Sequence, residues 1–148
     1  CSHPEQWKLL GEHPDMAERA VDEIMRVVPV VRGTIRVATE DIEHRGHLIP
    51  KGMLVSPLLS AANMDESIFP DPATFDITRE PTRPHLTFGG GIHYCLGANL
   101  AKAELAEALP ILARRLPDLA LDGEPSWRPP LGIQGPTSLP IRFTPNGG

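Results

Sequence analysis

Proline restricts this chain more than any other residue type, because seventeen of its 148 residues are proline. The prolines concentrate in two stretches, one after residue 65 and one after residue 124, with glycine and aspartate around them. Proline fixes the backbone φ and has no N–H to donate, so it interrupts helices and central strands. The two stretches therefore predict long irregular segments on either side of one good helix.

Apolar residues at helical spacing predict three helices, at residues 4–11, 14–28 and 97–115. The third is the longest, and Pro110 lies inside it. Because a proline removes one backbone hydrogen bond from a helix, we expect a kink there. The predicted apolar stripe of this helix consists of Leu100, Leu105, Leu109 and Leu112.

Between the second and third helices the period changes from helical to alternating, which indicates short strands. Residues 65–91 have no sustained period and predict an ordered but irregular meander with apolar anchors. The predicted strands are residues 34–38, 53–58, 118–121 and 138–143, with a turn at 45–52 and a helical turn within 58–64. The expected fold is mainly α with small β-sheets, an α+β architecture in one domain.

Charge and composition exclude several classes of protein. The net charge of −5 and the scattered Lys and Arg residues argue against nucleic acid as a partner. No apolar run reaches the length that a bilayer needs, and no signal peptide is visible, so we expect a cytoplasmic protein without a membrane partner. The two cysteines, Cys1 and Cys95, form no disulfide framework.

The stretch FGGGIHYCLG, residues 88–97, places Cys95 among four glycines directly before the longest predicted helix. A structural cysteine prefers an apolar core, whereas the free N–H groups and positive dipole end of a helix start favour a thiolate. The glycines allow sharp turns and let a flat ligand approach without a side-chain clash. The stretch therefore predicts a thiolate site.

Four kinds of site compete for this stretch. A phosphate loop needs a different spacing and a positive charge where Asn99 stands, and zinc needs about four ligands while Cys95 is the only internal cysteine. A nucleophile pair of Cys95 and His93 is chemically sound, because residues two apart in an extended segment share one side. A thiolate ligand to haem iron uses the anionic sulfur, the small residues and a cation for the haem carboxylates.

The stretch resembles the haem-binding signature of the cytochrome P-450 family, F-x-x-G-x-[HR]-x-C-x-G. The residues that match its fixed positions are Phe88, Gly91, His93, Cys95 and Gly97. The family also carries Glu-x-x-Arg on an upstream helix, and Glu23 and Arg26 supply that pair here. Two residues three apart on a helix often form an ordinary surface ion pair, but the strands and meander that follow resemble bacterial members in the same order. The resemblance covers nearly the whole chain.

The resemblance implies that Cys95 is the axial thiolate ligand of heme b and the catalytic centre. It implies that His93 and Arg36 bind the haem propionates, with Arg32 as a weaker candidate, and that Phe88 shields the sulfur. The further residues that it places against the cofactor are Gly89, Gly91, Leu96 and Gly97.

Glu23 and Arg26 resemble a structural pair that joins a third residue, an arginine of the meander, in a buried charge network. This chain departs from the family at that point, because Thr74 stands where arginine is often found. Threonine cannot neutralise a carboxylate, so either Arg26 suffices or another cation, Arg79 or Arg83, replaces the missing one.

The resemblance also implies a substrate-facing surface and redox partners. The residues that it places toward a substrate are Val30, Val31, Thr34, Ile133 and Gln134. The expected reaction inserts one oxygen atom of O2 into a small apolar organic molecule, with electrons from a ferredoxin-like or flavin partner.

Three functions follow from these observations. The first is the C-terminal, haem-ligating part of a bacterial-type monooxygenase, whose distal, oxygen-activating helix we expect to lie upstream of residues 1–148. The second is a truncated haem-binding relic or module without monooxygenase activity. The third is a haem-free thiol enzyme that uses Cys95 and His93.

Overall fold

The computed structural model describes residues 2–80, 83–128 and 132–144. The helices of the described part are α1 (Pro4–Glu12), α2 (Ala17–Val27), α3 (Leu59–Ala62) and α4 (Ala98–Arg115), with 3₁₀ turns at Pro14–Met16 and Gly91–His93. The strands are β1 (Arg36–Val37), β2 (Ile42–His44), β3 (His47–Ile49), β4 (Leu54–Val55), β5 (Ala120–Leu121), β6 (Ser126–Trp127), β7 (Pro136–Ser138) and β8 (Ile141–Arg142). Mainly helical structure with small sheets is thus confirmed.

Helices α1 and α2 both pack against α4, and this contact forms the core. The buried apolar cluster there consists of Leu10, Ala20, Ile77 and Ala113. Trp7 links α1 to the C-terminal end of α4, because its indole N–H donates to the carbonyl of Leu116 at 2.8 Å. Helix α1 continues through Gly11 to Glu12, past the glycine at which the sequence predicts its end.

The buried face of α4 differs from the predicted leucine stripe at two of its four positions, Leu100 and Leu112, so the prediction is wrong there. Leu100 is 64% exposed and Leu112 is 43% exposed. The residues that α4 buries are Ala98, Pro110 and Ala113. Small side chains on this face let α1 and α2 approach closely. Leu109 also packs against the core cluster, whereas Leu100 and Leu112 lie largely outside the contact. The kink at Pro110 stays a prediction.

The strands of the described part form two-stranded antiparallel ladders: β1 with β4, β2 with β3, β5 with β8, and β6 with β7. The predicted turn at residues 45–52 is too long, because β3 lies within it. Arg45 and Gly46 alone connect β2 to β3, with φ values of 50° and 79°, the left-handed pair that a two-residue hairpin turn requires. A strand of three residues is too short to show alternation in the sequence.

The meander is confirmed as irregular over its described residues, 65–80 and 83–90. Local hydrogen bonds hold it, as in the turn in which Asp65 accepts from the N–H and hydroxyl of Ser67 at 2.9 and 2.6 Å. Two of its apolar anchors, Phe69 and Ile77, are buried. No helix among the described residues is both long and apolar enough to cross a membrane.

Candidate functional site

Residues 88–97, here called the cysteine loop, connect the meander to α4. Gly89 and Gly91 have φ values of 73° and 63°, in the left-handed region that glycine adopts without strain. The N–H of Cys95 donates to the carbonyl of Phe88 at 3.0 Å, and the carbonyl of Cys95 accepts from the N–H of Ala98 at 3.2 Å. The two bonds close the loop on itself and fix Cys95 at the start of α4.

One side of the cysteine loop is open. Cys95 is a free and exposed cysteine, whereas Cys1 lies outside the described residues. A Cβ added at Gly90 or Gly91 would meet no atom within 4 Å. Ile92 is 97% exposed and Leu96 is 104% exposed. The loop therefore exposes a cysteine, bare glycine backbone and two apolar side chains, which a flat apolar ligand could contact.

The ring of Phe88 lies between two other rings. Its centroid is 5.9 Å from that of His85 and 6.3 Å from that of Tyr94, the latter edge to face. The side chain is half-buried. The carbonyl of Phe88 accepts from the N–H of Cys95, so the packing of Phe88 influences the position of the Cys95 backbone and, through it, of the sulfur.

Asn63 anchors the segment that enters the cysteine loop, a role that the sequence analysis missed. It is fully buried, and its Oδ1 accepts from the N–H of Leu86 at 2.7 Å. Its Nδ2 donates to Thr87 Oγ1 at 2.9 Å and to the carbonyl of Arg26 at 3.3 Å. The signal in the sequence was an asparagine directly after the helical turn at 58–62, a position where a polar side chain can bond to nearby backbone.

Glu23 and Arg26 form a buried ion pair on α2. The guanidinium donates to both carboxylate oxygens at 2.8 Å, and the two side chains are 4% and 2% exposed. Arg79 adds a second cation, with its Nε 3.3 Å from Glu23 Oε1. Burial favours the neutral acid, but the guanidinium of Arg26, the N–H of Asp76 and the charge of Arg79 hold the pKa of Glu23 below its usual value.

The remaining donors of Arg26 reach backbone carbonyls. Nη1 donates to Asn63 at 3.0 Å and to Pro72 at 2.8 Å, and Nη2 donates to Thr74 at 3.2 Å. The guanidinium therefore ties α2 to both α3 and the meander, in the complete network that a buried charge requires. Phe69 covers it, with the ring centroid 5.4 Å from the guanidinium carbon.

Comparison with known proteins identifies the family. The family described as Cytochrome P450 matches residues 11–116. The chain belongs to the cytochrome P450 family. It is 44% identical over 144 residues to the luteothin monooxygenase of Streptomyces thioluteus, covering 97% of this chain and 36% of that protein. It is 46% identical over 142 residues to the biotin biosynthesis cytochrome P450 of Bacillus subtilis, covering 95% of this chain and 36% of that protein.

A solved cytochrome P450 has the same fold. The structure of P450BioI, in complex with an acyl carrier protein ligated to hexadec-9Z-enoic acid, superimposes with a TM-score of 0.90 and 45% identity. The match covers 97% of this chain and 37% of that one. This chain thus spans little more than a third of the length of the cytochrome P450 proteins that it matches.

The two arginines proposed from the sequence, Arg36 and Arg32, lie outside the cysteine loop of this cytochrome P450 chain. Arg36 is exposed on β1, where its Nη1 donates to the carbonyl of Ile35 at 2.8 Å. Arg32 lines an open cleft of about 380 Å³ together with Val28, Pro29 and Met64. Within the described residues, no hydrogen bond or ion pair joins either arginine to the cysteine loop.

The two stretches that the sequence placed toward a substrate meet in space. Val31 and Ile133 form an isolated antiparallel bridge, and the N–H of Gln134 donates to the carbonyl of Val30 at 2.7 Å. Thr34 lies further along and donates its N–H to the carbonyl of Pro57 at 3.1 Å. Val30 is 49% exposed and Ile133 is 69% exposed, so both side chains are open to a ligand.

The geometry of the described residues does not support a Cys95–His93 nucleophile pair or a zinc site at the cysteine loop. His93 lies in the 3₁₀ turn Gly91–His93 rather than in extended backbone, so the extended geometry on which a shared side with Cys95 depended is not formed at His93. No hydrogen bond connects the two side chains among the described residues. Within residues 2–80, 83–128 and 132–144, no group of three or more His, Cys, Asp or Glu side chains can hold a metal ion.

Proposed function

We propose that this chain is the haem-ligating part of a bacterial-type cytochrome P450 monooxygenase, with Cys95 as the axial thiolate. The observation that carries the proposal is a free, exposed cysteine in an open glycine loop at the start of a helix. Cys95 lies two residues before Gly97, the N-cap of α4, where helix-end N–H groups would stabilise a thiolate bound to iron. An axial thiolate supplies electron density that favours O–O cleavage at haem iron.

The residues around Cys95 fit a haem group. The bare backbone at Gly90 and Gly91 leaves room for a flat ring, and the exposed Ile92 and Leu96 offer apolar contact to it. We propose that His93, Arg36 and, less directly, Arg32 bind the haem carboxylates, because all three side chains are exposed and carry N–H groups that can donate to a carboxylate. The remaining residues proposed to line the haem are Phe88, Gly89, Gly91 and Gly97.

We propose a small apolar organic molecule as the substrate of the whole protein. The apolar side chains of Val30, Val31 and Ile133, with Thr34 and Gln134 nearby, support this class. The reaction would insert one oxygen atom of O2, with electrons from a ferredoxin-like or flavin partner. A cytoplasmic location stays a prediction.

Optical spectroscopy tests the haem ligand. The 148-residue chain is titrated with haem, reduced and exposed to carbon monoxide, and we expect the strongly red-shifted Soret band of a thiolate complex. Cys95→Ser is expected to abolish the shift, whereas Cys1→Ser is the matched control and is expected to keep it. An unshifted band in the unsubstituted chain, or the same spectrum in Cys95→Ser, would contradict the proposal.

A further inference from the structure

His85 is a buried imidazole between α2 and the cysteine loop. Its side chain is 7% exposed, and its Nε2 lies 3.5 Å from Oδ1 of Asp22 on α2. The same carboxylate oxygen lies 2.6 Å from the ammonium nitrogen of Lys102 on α4. Asp22 therefore connects the helix before the meander, the helix after Cys95 and the segment that enters the cysteine loop.

The hydrogen bonds of His85 define its tautomer. Its Nδ1 accepts from the N–H of Thr87 at 3.3 Å, so in the neutral ring the proton resides on Nε2 and points toward Asp22. Nε2 and Oδ1 are both buried, and neither has a hydrogen bond of good geometry with a described residue. An unsatisfied buried N–H is costly, so the 3.5 Å contact with Asp22 is the one available compensation for it among the described residues.

The charge of Asp22 is well supported. The side chain of His85 and the ammonium of Lys102 hold the pKa of Asp22 below its usual value, against the opposing effect of burial. Lys102 is 39% exposed and Asp22 is 43% exposed, so the lysine contact alone is screened by solvent. The imidazole approaches the same carboxylate from the buried side, where screening is weaker.

His85 transmits its position to Cys95 through one residue. Its ring packs against the ring of Phe88 at 5.9 Å between centroids, and the carbonyl of Phe88 accepts from the N–H of Cys95 at 3.0 Å. The Thr87 N–H that donates to His85 Nδ1 belongs to the Leu86–Thr87 peptide, and Thr87 is the residue directly before Phe88. A shift of the imidazole therefore moves the backbone that holds the N–H of Cys95.

We propose that the Asp22–His85 pair positions the Cys95 thiolate, with His85 as a positioning residue that acts through Phe88. The inference rests on the proposed function, because a fixed sulfur matters only where it binds a ligand. Groups that orient a metal ligand through hydrogen bonds commonly change metal affinity about tenfold to a hundredfold when they are removed. In the described part of the chain, His85 and Asp22 form no hydrogen bond to the Cys95 sulfur; they act on the backbone that orients the cysteine.

Substitutions at His85 separate its ring from its polar atoms. His85→Phe keeps a ring against Phe88 but removes the N–H toward Asp22, and His85→Gln keeps a donor near the position of Nε2. We expect His85→Phe and Asp22→Asn to weaken haem binding about tenfold and to reduce the red-shifted fraction of the Soret band. We expect His85→Gln to recover much of that loss. Glu18→Gln, an exposed carboxylate on the same helix, is the matched control and should match the unsubstituted chain.

A second measurement needs no haem. In a Cys1→Ser background, the alkylation rate of Cys95 reports how firmly the cysteine loop is held, and we expect it to rise in His85→Phe and Asp22→Asn. Thermal melting identifies any variant that fails to fold, in which case His85→Gln and Asp22→Asn supply the comparison. Equal alkylation rates and equal haem affinities in all folded variants would overturn the inference. If the unsubstituted chain itself shows no red-shifted band, the proposed function fails, and the alkylation rates alone decide whether His85 positions Cys95.

Discussion

The buried Glu23 carboxylate depends on cations from two segments of the chain. Arg26 lies one helical turn away on α2, and Arg79 reaches it from the meander. Thr74, where the family often has arginine, contributes its backbone carbonyl, which accepts from Arg26 at 3.2 Å and from Arg79 at 2.9 Å. Arg79, five residues after Thr74, thus supplies the cation that Thr74 cannot.

Removing Arg79 should therefore destabilise the fold. We expect Arg79→Gln to lower the free energy of unfolding by about 2 kcal/mol, because charge-assisted hydrogen bonds are lost together with the ion pair to Glu23. The carbonyls that would lose a donor are those of Pro70, Asp71 and Thr74. Arg83→Gln, the other cation considered from the sequence and exposed in the structure, should change stability by less than about 0.5 kcal/mol. Urea denaturation measures both, and equal losses would contradict the assignment.

The lowered pKa of Glu23 predicts that the fold loses stability in acid. The folded-state pKa of Glu23 lies below the ordinary value of 4.5, so folding favours the ionised form. Its contribution is fully present above pH 4.5 and is lost as the pH falls through the lowered folded-state pKa. We expect the free energy of unfolding to fall with pH in that window, and to do so at high salt as well, because a buried pair is poorly screened. A flat profile in urea titrations below pH 4.5 would contradict this expectation.

Helices α1 and α4 lie close together at Gly11. A Cβ added there would lie 3.1 Å from the backbone carbon of Ala113 and 3.2 Å from the nitrogen of Arg114. Alanine gains about 1 kcal/mol of helix propensity over glycine, but overpacking costs about 1–3 kcal/mol. We expect Gly11→Ala to destabilise the chain by about 1 kcal/mol in urea denaturation. Lys8→Ala, on the exposed side of α1 where it removes only a surface ion pair with Glu12, is the control for an alanine introduced away from α4. A more stable Gly11→Ala variant would show that α4 can shift.

Sequence pattern located the elements better than their faces. The prolines at positions 4 and 14 and the long period after residue 97 correctly placed the three main helices. Periodicity indicates one side of α4 but does not say how close the neighbouring helix comes, so it wrongly places Leu100 and Leu112 in the core. Close helix contact selected alanine and proline instead. The pairing of Val31 with Ile133 could not be predicted, since residues about a hundred positions apart leave no local signal.

In the candidate site, too, the parts that are contiguous in sequence could be predicted, whereas contacts between distant segments could not. The glycines and Cys95 could be recognised because the loop is contiguous in sequence. The contacts of His85 with Asp22 and of Asn63 with Leu86 depend on how α2, α3 and the meander come together. Sequence spacing constrains neither pair.

The described part of the molecule buries large polar side chains as well as an apolar core. Arg26 and Asn63 are among the largest side chains that the described part buries fully. Large apolar side chains, in contrast, remain at the surface, with Val37 56% exposed and Leu54 70% exposed. Since buried polar groups specify geometry more than they add stability, the described fold combines a well-defined site with an incompletely covered apolar surface.

That surface predicts self-association of the 148-residue chain. Val37 and Leu54 are directly paired across β1 and β4, and contiguous exposed apolar area favours contact between molecules. We expect sedimentation velocity to show association that increases with protein concentration, and Val37→Thr with Leu54→Thr to weaken it. Leu48→Thr, at an exposed leucine of the separate β2–β3 ladder, should have the smaller effect. A chain that stays monomeric at all concentrations would contradict the prediction, and equal effects of the two sets of substitutions would show that the β1–β4 surface is not the region of contact.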